Sequence, residues 1–236
     1  MRVCAAAPFA GHAVLEDGGD ARWQAHDIVR LRRLASFDNE PAWVRDAFAR
    51  APFAVVRRAH AAAGYVAVGV RGAARNERYG TWTRVDDIDT AFTPEALCPL
   101  AASTLAAPRA SLPAFVALNA LQRDASCFGA YVWGPTGSVG FELATRVPAV
   151  TSTSDLDLLI RIPNRLTRHA AQEIQVALDR HAARAGLRID AQLETPAGGV
   201  ALAEYASGKA RVMARHASGP RLVADPWALV PEPASA

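Results

Sequence analysis

Apolar and polar positions along this chain follow two different periods, and the switches between them mark its elements. Residues 53–58 (FAVVRR) and 65–71 (YVAVGVR) are β-branched runs bounded by turn residues, which predicts two strands. Between them and the preceding Asn39-Glu40-Pro41, the period lengthens. Trp43, Val44, Ala47 and Phe48 fall on one helical stripe behind an Asn cap and an early proline. Ser111-Leu112-Pro113 begins another helix, with Phe115, Val116, Leu118 and Leu121 at helical spacing. A short helix over 139–144 leads into a strand at SDLDLLIR, and residues 165–185 read as a long amphipathic helix closed by Gly186. The following LRIDAQLE alternates cleanly, turning Leu187, Ile189, Ala191 and Leu193 to a core and Asp190 and Gln192 to the other face.

These elements predict an α+β (α/β) protein in two parts. A small N-terminal α+β domain covers 21–85, and a larger domain with a mixed sheet and helices covers 95–230. A linker is expected between 81 and 99. The polar break EDGGDA at 16–21 sets off residues 1–20 as a loose tail. No repeat at solenoid spacing occurs, and only the Pro-Ala stretch after Val230 is low in complexity.

Composition changes this picture little. With 236 residues, 51% hydrophobic and 21% charged, the chain can bury a sizeable core. Its net charge is +3, and Lys209 is the sole lysine, so the positive charge is almost all arginine. Arginine suits phosphate, because its planar fork binds two oxygens at once, although GC-rich coding explains an Ala- and Arg-rich chain equally well. Cys4, Cys98 and Cys127 are odd in number, far apart and without a zinc-ligand interval, which points to a reducing cytoplasm. No apolar stretch is long enough to span a bilayer. Pro8, Gly11 and His12 interrupt the apolar N-terminus, so a secretion signal is not expected.

The chemistry concentrates between Trp133 and Arg161. The turn WGPTGS ends in Gly137-Ser138, and a helix-length segment later Asp155-Leu156-Asp157 lies inside an apolar run. On a strand Asp155 and Asp157 share one face while Leu156, Leu158 and Ile160 anchor the other. Carboxylates on one face suit Mg²⁺, which binds through one or two carboxylates plus substrate phosphates; Mn²⁺ is the alternative. A Gly-Ser turn opening a helix offers N–H groups and a hydroxyl to those phosphates. If the Asp190 strand lies beside the Asp155 strand with polar faces aligned, three carboxylates converge at one sheet edge. A lone aspartate in an alternating strand is more often a solvated face; the joint occurrence reverses that balance. GPTGSVG lacks the lysine of a P-loop and the glycine spacing of a dinucleotide fingerprint.

The Gly-Ser turn, Asp-x-Asp strand and later acidic strand resemble the nucleotidyltransferase superfamily of the DNA polymerase β type. A closer resemblance covers most of the chain. His26-Asp27, VVRR at 55–58, VGVRG at 68–72, GPTGSVGFELAT at 134–145, SDLDLL at 154–159, IDAQLETPAGG at 189–199 and DPW at 225–227 are similar to the phosphoribosyl-dephospho-CoA transferase family. These are the holo-acyl-carrier-protein synthases of bacterial malonate decarboxylase. The resemblance implies transfer from 2'-(5''-triphosphoribosyl)-3'-dephospho-CoA to a serine of the acyl-carrier subunit, with release of pyrophosphate. It implies Asp155 and Asp157 as ligands of both metals, Asp190 on the catalytic metal, and Gly137 and Ser138 on the terminal phosphates.

Other residues are weaker candidates. Arg57, Arg58, Arg71 and Arg75, near strand ends, could clamp the triphosphate or the dephospho-CoA moiety; surface arginines are the competing reading. His26 is expected to be structural, Glu142 and Glu204 to lie on helix surfaces, Trp133 and Trp227 to be core or interface residues, and Lys209 to be an exposed loop residue. One alternative is another metal-dependent nucleotidyltransferase acting on RNA or a small hydroxylated substrate. A second is a non-catalytic nucleic-acid binder on the same scaffold, against which the modest +3 charge and the intact acidic trio count.

Overall fold

A computed structural model describes residues 3–5, 22–74, 76–100, 105 and 107–228, the side chains of Val3 and Ala125 excepted. It has an α+β fold in two compact units. The first comprises Met1–Leu97 and Phe141–Ala149, the second Cys98–Gly140 and Val150–Ala236.

The first unit is built on a six-stranded sheet of order β1-β5-β4-β3-β2-β6. Its strands are β1 (Val3–Cys4), β2 (Ile28–Leu31), β3 (Phe53–Val56), β4 (Tyr65–Arg71), β5 (Arg78–Arg84) and β6 (Ile88–Phe92). All neighbours are antiparallel except β1 and β5. Helix α1 (Trp43–Arg50) lays Val44 and Ala47 on the core formed with Val29, Ala54, Val68 and Tyr79. The helix begins later than its sequence predicts. Asn39 adopts a positive φ of 61°, and Ala42 stands at the N-cap with no side-chain cap.

The sequence reading of this unit is incomplete. The sequence shows two strands, whereas the sheet has six. Between 81 and 99, where a linker is expected, lie the end of β5, all of β6 and helix α2 (Pro94–Leu97), and the chain passes from one unit to the other between Leu97 and Cys98. Of the tail expected over 1–20, Val3 and Cys4 pair with Tyr79 and Gly80, and the rest apart from Ala5 lies outside the described residues.

The second unit carries a mixed sheet of order β12-β11-β10-β9-β8-β7. Edge strand β7 (Val132–Pro135) is antiparallel to β8 (Leu156–Arg161), and β8 is parallel to β9 (Ile189–Thr195). Strands β10 (Gly198–Ala201), β11 (Val212–His216) and β12 (Gly219–Val223) complete it as an antiparallel meander, interrupted by a short helix after β10. Proline is confined here to the edge strands, at Pro135 and Pro220, where a missing N–H breaks no interior ladder.

Helix α3 (Pro113–Arg123) starts with proline in its first turn and buries Phe115, Leu118 and Leu121. Val116, expected on that stripe, is instead exposed. Helix α4 (Gly137–Thr145) follows β7, with its first four residues in the second unit and the remainder in the first. Helix α5 (Arg168–Ala185) makes the crossover that a parallel pair requires between β8 and β9. Thr167 caps it by accepting from the Ala170 N–H at 3.1 Å, and Gly186 ends it with a φ of 64°. Ala171, Ile174, Leu178 and His181 form its buried stripe. Helix α6 (Leu202–Ala206) follows β10. No helix among the described residues is long and apolar enough to cross a membrane.

Candidate active site

The parallel pair β8–β9 brings the acidic residues together. Asp157 is the direct partner of Asp190, one rung beyond Leu156 opposite Ile189. Asp155 immediately precedes β8 rather than lying within it, but its side chain reaches the same place. Arg188 joins them, its guanidinium lying 3.1 Å from Asp155 Oδ2 and 2.7 Å from Asp190 Oδ2. Alternation explains this grouping: Arg188, just before β9, and Asp190 within it leave one face, and Asp155, just before β8, and Asp157 within it leave the corresponding face. Behind them Leu156, Leu158, Ile160, Ile189 and Leu193 are buried, so the backbone carrying the acids is anchored by core packing.

The small-residue turn closes on the same carboxylates. The Thr136 N–H donates to the Asp157 carbonyl at 2.8 Å, and the Gly140 N–H donates to the Thr136 carbonyl at 2.9 Å. Gly137 is the first residue of α4, not the last of a loop, and has a φ of +60°. A Cβ there would collide with Asp157 Oδ2 and would lie 2.9 Å from Cγ of that carboxylate. Glycine is therefore required twice, for its conformation and for the space. Ser138 is half-buried beside it in the first turn, where helix N–H groups have no intrahelical acceptors.

Among the described residues, no group of three or more acidic, His or Cys side chains is gathered closely enough to form a ready-made metal cage. The donor set nevertheless suits a hard cation. Asp157 and Asp190 are register partners on neighbouring strands, and the Arg188 guanidinium lies between the carboxylates of Asp155 and Asp190, so carboxylate oxygens of the kind a hard cation takes line one strand edge. With the helix N-terminus alongside, Asp155, Asp157 and Asp190 are the residues that could hold a divalent cation, and the first turn of α4 is the segment that could receive phosphate oxygens.

The arginines expected to clamp substrate lie in the first unit. Arg57 and Arg58 follow β3, and Arg57 Nη1 lies 3.4 Å from Cys4 Sγ. Arg71 ends β4; its Nη2 is 3.5 Å from the Ala149 carbonyl oxygen, and its guanidinium stands 5.8 Å from the Phe141 ring centroid. Arg75 lies outside the described residues.

Glu142 corrects the sequence reading. It is buried within α4, and its Oε2 accepts the Ala149 N–H at 2.7 Å. Glu142 and Arg71 thus hold the two polar groups of one residue, Ala149. Glu204, half-buried, accepts the Met213 N–H at 3.3 Å. His26 sits in a turn before β2 with a φ of 78°, its N–H donating to the Val56 carbonyl. Trp133 stacks on Phe128 at 4.2 Å, and Trp227 packs edge-on to Tyr205 while donating to the Ile162 carbonyl. Lys209 is exposed, as expected. Burial pushes the Cys127 thiol up to about 11, with Asp124 adding to the shift, so a nucleophilic thiolate is disfavoured there.

Comparison with known proteins gives this class of site a family. Residues 99–226 match the family model described as phosphoribosyl-dephospho-CoA transferase MdcG C-terminal domain, and residues 24–94 match its N-terminal counterpart. A Pseudomonas putida W619 protein named phosphoribosyl-dephospho-CoA transferase is 42% identical over 208 residues, covering 88% of this chain and 96% of that protein. Proteins of the same name from Pseudomonas aeruginosa and Azotobacter vinelandii are 41% and 40% identical, each match covering 86% of this chain and 93% and 94% of the respective relative. No solved structure matches. The chain belongs to the phosphoribosyl-dephospho-CoA transferase family.

Proposed function

We propose that this chain transfers the phosphoribosyl-dephospho-CoA group from 2'-(5''-triphosphoribosyl)-3'-dephospho-CoA to a serine of the acyl-carrier subunit of malonate decarboxylase, in the cytoplasm. The observation that carries the reading is the pairing of Asp157 with Asp190 beside a glycine whose missing side chain admits the Asp157 carboxylate. The names of the relatives supply the transferred group.

In this reading the carrier serine oxygen bonds to the α-phosphorus of the triphosphate, and the bond from that phosphorus to the α–β bridging oxygen breaks. Pyrophosphate leaves with the electron pair, and the serine proton passes to the Asp190 carboxylate. Gly137 and Ser138, at the start of α4, hold the terminal phosphates through N–H groups and the Ser138 hydroxyl. Asp155, Asp157 and Asp190 would hold Mg²⁺ or Mn²⁺, which when bound supplies charge neutralisation for the phosphates. Arg57, Arg58, Arg71 and Arg75 would serve the precursor's remaining negative charge. Chain architecture of the DNA polymerase β type belongs to the same proposal.

The test is pyrophosphate release measured with precursor, carrier and Mg²⁺ each present or withheld. Release that requires all of them supports the reading. Release that continues with a carrier lacking its serine contradicts it.

A further inference from the structure

We propose that Arg188 is the resting counter-ion of the acidic site, occupying the position between Asp155 and Asp190 from which a divalent cation must displace it. The inference rests on the cation reading of the proposed function.

Several observations converge on Arg188. Its guanidinium contacts one carboxylate from each of the two segments, at 3.1 Å and 2.7 Å, so it bridges the site rather than decorating one side. Its backbone is fixed, because the Leu156 N–H donates to the Arg188 carbonyl at 3.0 Å as part of the β8–β9 ladder. Its side chain is free to leave, being 65% exposed. A locked backbone with a mobile charged end is what an exchangeable counter-ion needs.

The electrostatics give the exchange a direction. Ion pairs this exposed add little to folding stability. Their effect on a third charge is larger: a divalent ion on the same Asp155 and Asp190 oxygens would lie within a few ångströms of the guanidinium, and like charges so close repel strongly. The two cannot share those oxygens. Binding of the ion therefore includes breaking both Arg188 contacts, which weakens the site for a bare cation. The released guanidinium stays tethered next to the site, as the strand ladder dictates.

Manganese binding reads this directly, without substrate or turnover. Mn²⁺ titrated into the full-length protein is followed by the electron paramagnetic resonance signal of the free ion at fixed salt. Arg188→Gln is expected to bind Mn²⁺ roughly tenfold more tightly than the wild-type chain, the scale of removing one nearby, partly screened unit charge. Arg188→Lys keeps the charge and is expected to stay within about threefold of wild type, since a point charge can still satisfy one carboxylate. Adding Asp155→Asn to Arg188→Gln should abolish the gain.

Equal affinity in wild type and Arg188→Gln overturns the proposal while leaving the cation reading standing, provided Asp155→Asn weakens binding in both. An equal gain in the Gln and Lys variants also overturns it, because the effect would then not be charge. No Mn²⁺ binding in any variant overturns it together with the cation reading. Circular dichroism on each variant confirms that the folded protein is being compared.

Discussion

Gly137 and Asp157 share one space: the carboxylate of Asp157 occupies the volume that a side chain on Gly137 would take. The relationship ties the first turn of α4 to strand β8, although they are separated by most of a helix and a loop. Gly137→Ala should move the Asp157 carboxylate and strain a positive φ at once, at about 1 to 2 kcal/mol for the conformation alone. The expected outcome is a folded, destabilised protein with turnover reduced about a hundredfold or more, the scale of a misplaced reacting group. Turnover near wild type would separate the turn from the site.

The three aspartates should divide by role. Asp155→Asn and Asp157→Asn are each expected to lower turnover by about a hundredfold or more, the scale of a lost preorganised electrostatic stabiliser. Asp190→Ala should abolish transfer while leaving precursor binding largely intact. Single-turnover kinetics beside calorimetric titration check both. Proportional loss of affinity and activity would reassign Asp190 to holding substrate.

Glu142 should matter for folding. Glu142→Ala leaves the Ala149 N–H without the carboxylate that now accepts it, and unfolding in urea should show a loss of about 1 to 3 kcal/mol, the range for an unsatisfied buried group. Glu142→Gln, which keeps an acceptor, should recover part of it. A helix-surface role, the sequence expectation, would leave both variants at wild-type stability.

The first-unit arginines should separate by their contacts. Arg58→Ala is expected to weaken precursor binding by about 1.5 to 3 kcal/mol, the range for hydrogen bonds to charged groups, with little change in Tm. Arg71→Ala should also lower Tm, because Arg71 approaches the Ala149 carbonyl and covers Phe141. Wild-type affinity in both would place the first unit outside precursor binding.

The acidic pair was legible because the signals agree locally. SDLDLLIR and LRIDAQLE each keep apolar residues on one face, and parallel pairing through α5 then sets Asp157 against Asp190. The first sheet was only partly legible. Strand β5, RYGTWTR, lacks apolar alternation because Thr81 and Thr83 are buried polar residues and Gly80 has no side chain to declare a face. Strand β6 follows Asp86-Asp87 and reads as a charged turn. Strand β2 is four residues long, under the length at which period two stands out.

The site was half legible for a similar reason. Gly137-Ser138 stands out in the sequence as a small-residue turn at a helix start, but that Asp157 fills the glycine's vacant side-chain volume depends on the fold. Arg188 carries a signal in the sequence as well: two residues before Asp190 and just ahead of β9, it turns to the same side of the extended chain. Glu142 lies among Phe141, Leu143 and Ala144 in a short helix, and only the path of the chain to Ala149 shows why its carboxylate is buried.

Intact-mass spectrometry of the carrier reads the transfer itself. The wild-type chain, the triphosphoribosyl precursor, Mg²⁺ and the acyl-carrier subunit of malonate decarboxylase are incubated together, with Asp157→Asn as control. With the wild-type chain the carrier should gain the mass of one phosphoribosyl-dephospho-CoA group on a single serine, and with the variant it should gain none. An unmodified carrier beside a folded wild-type enzyme, or equal modification by Asp157→Asn, would contradict it.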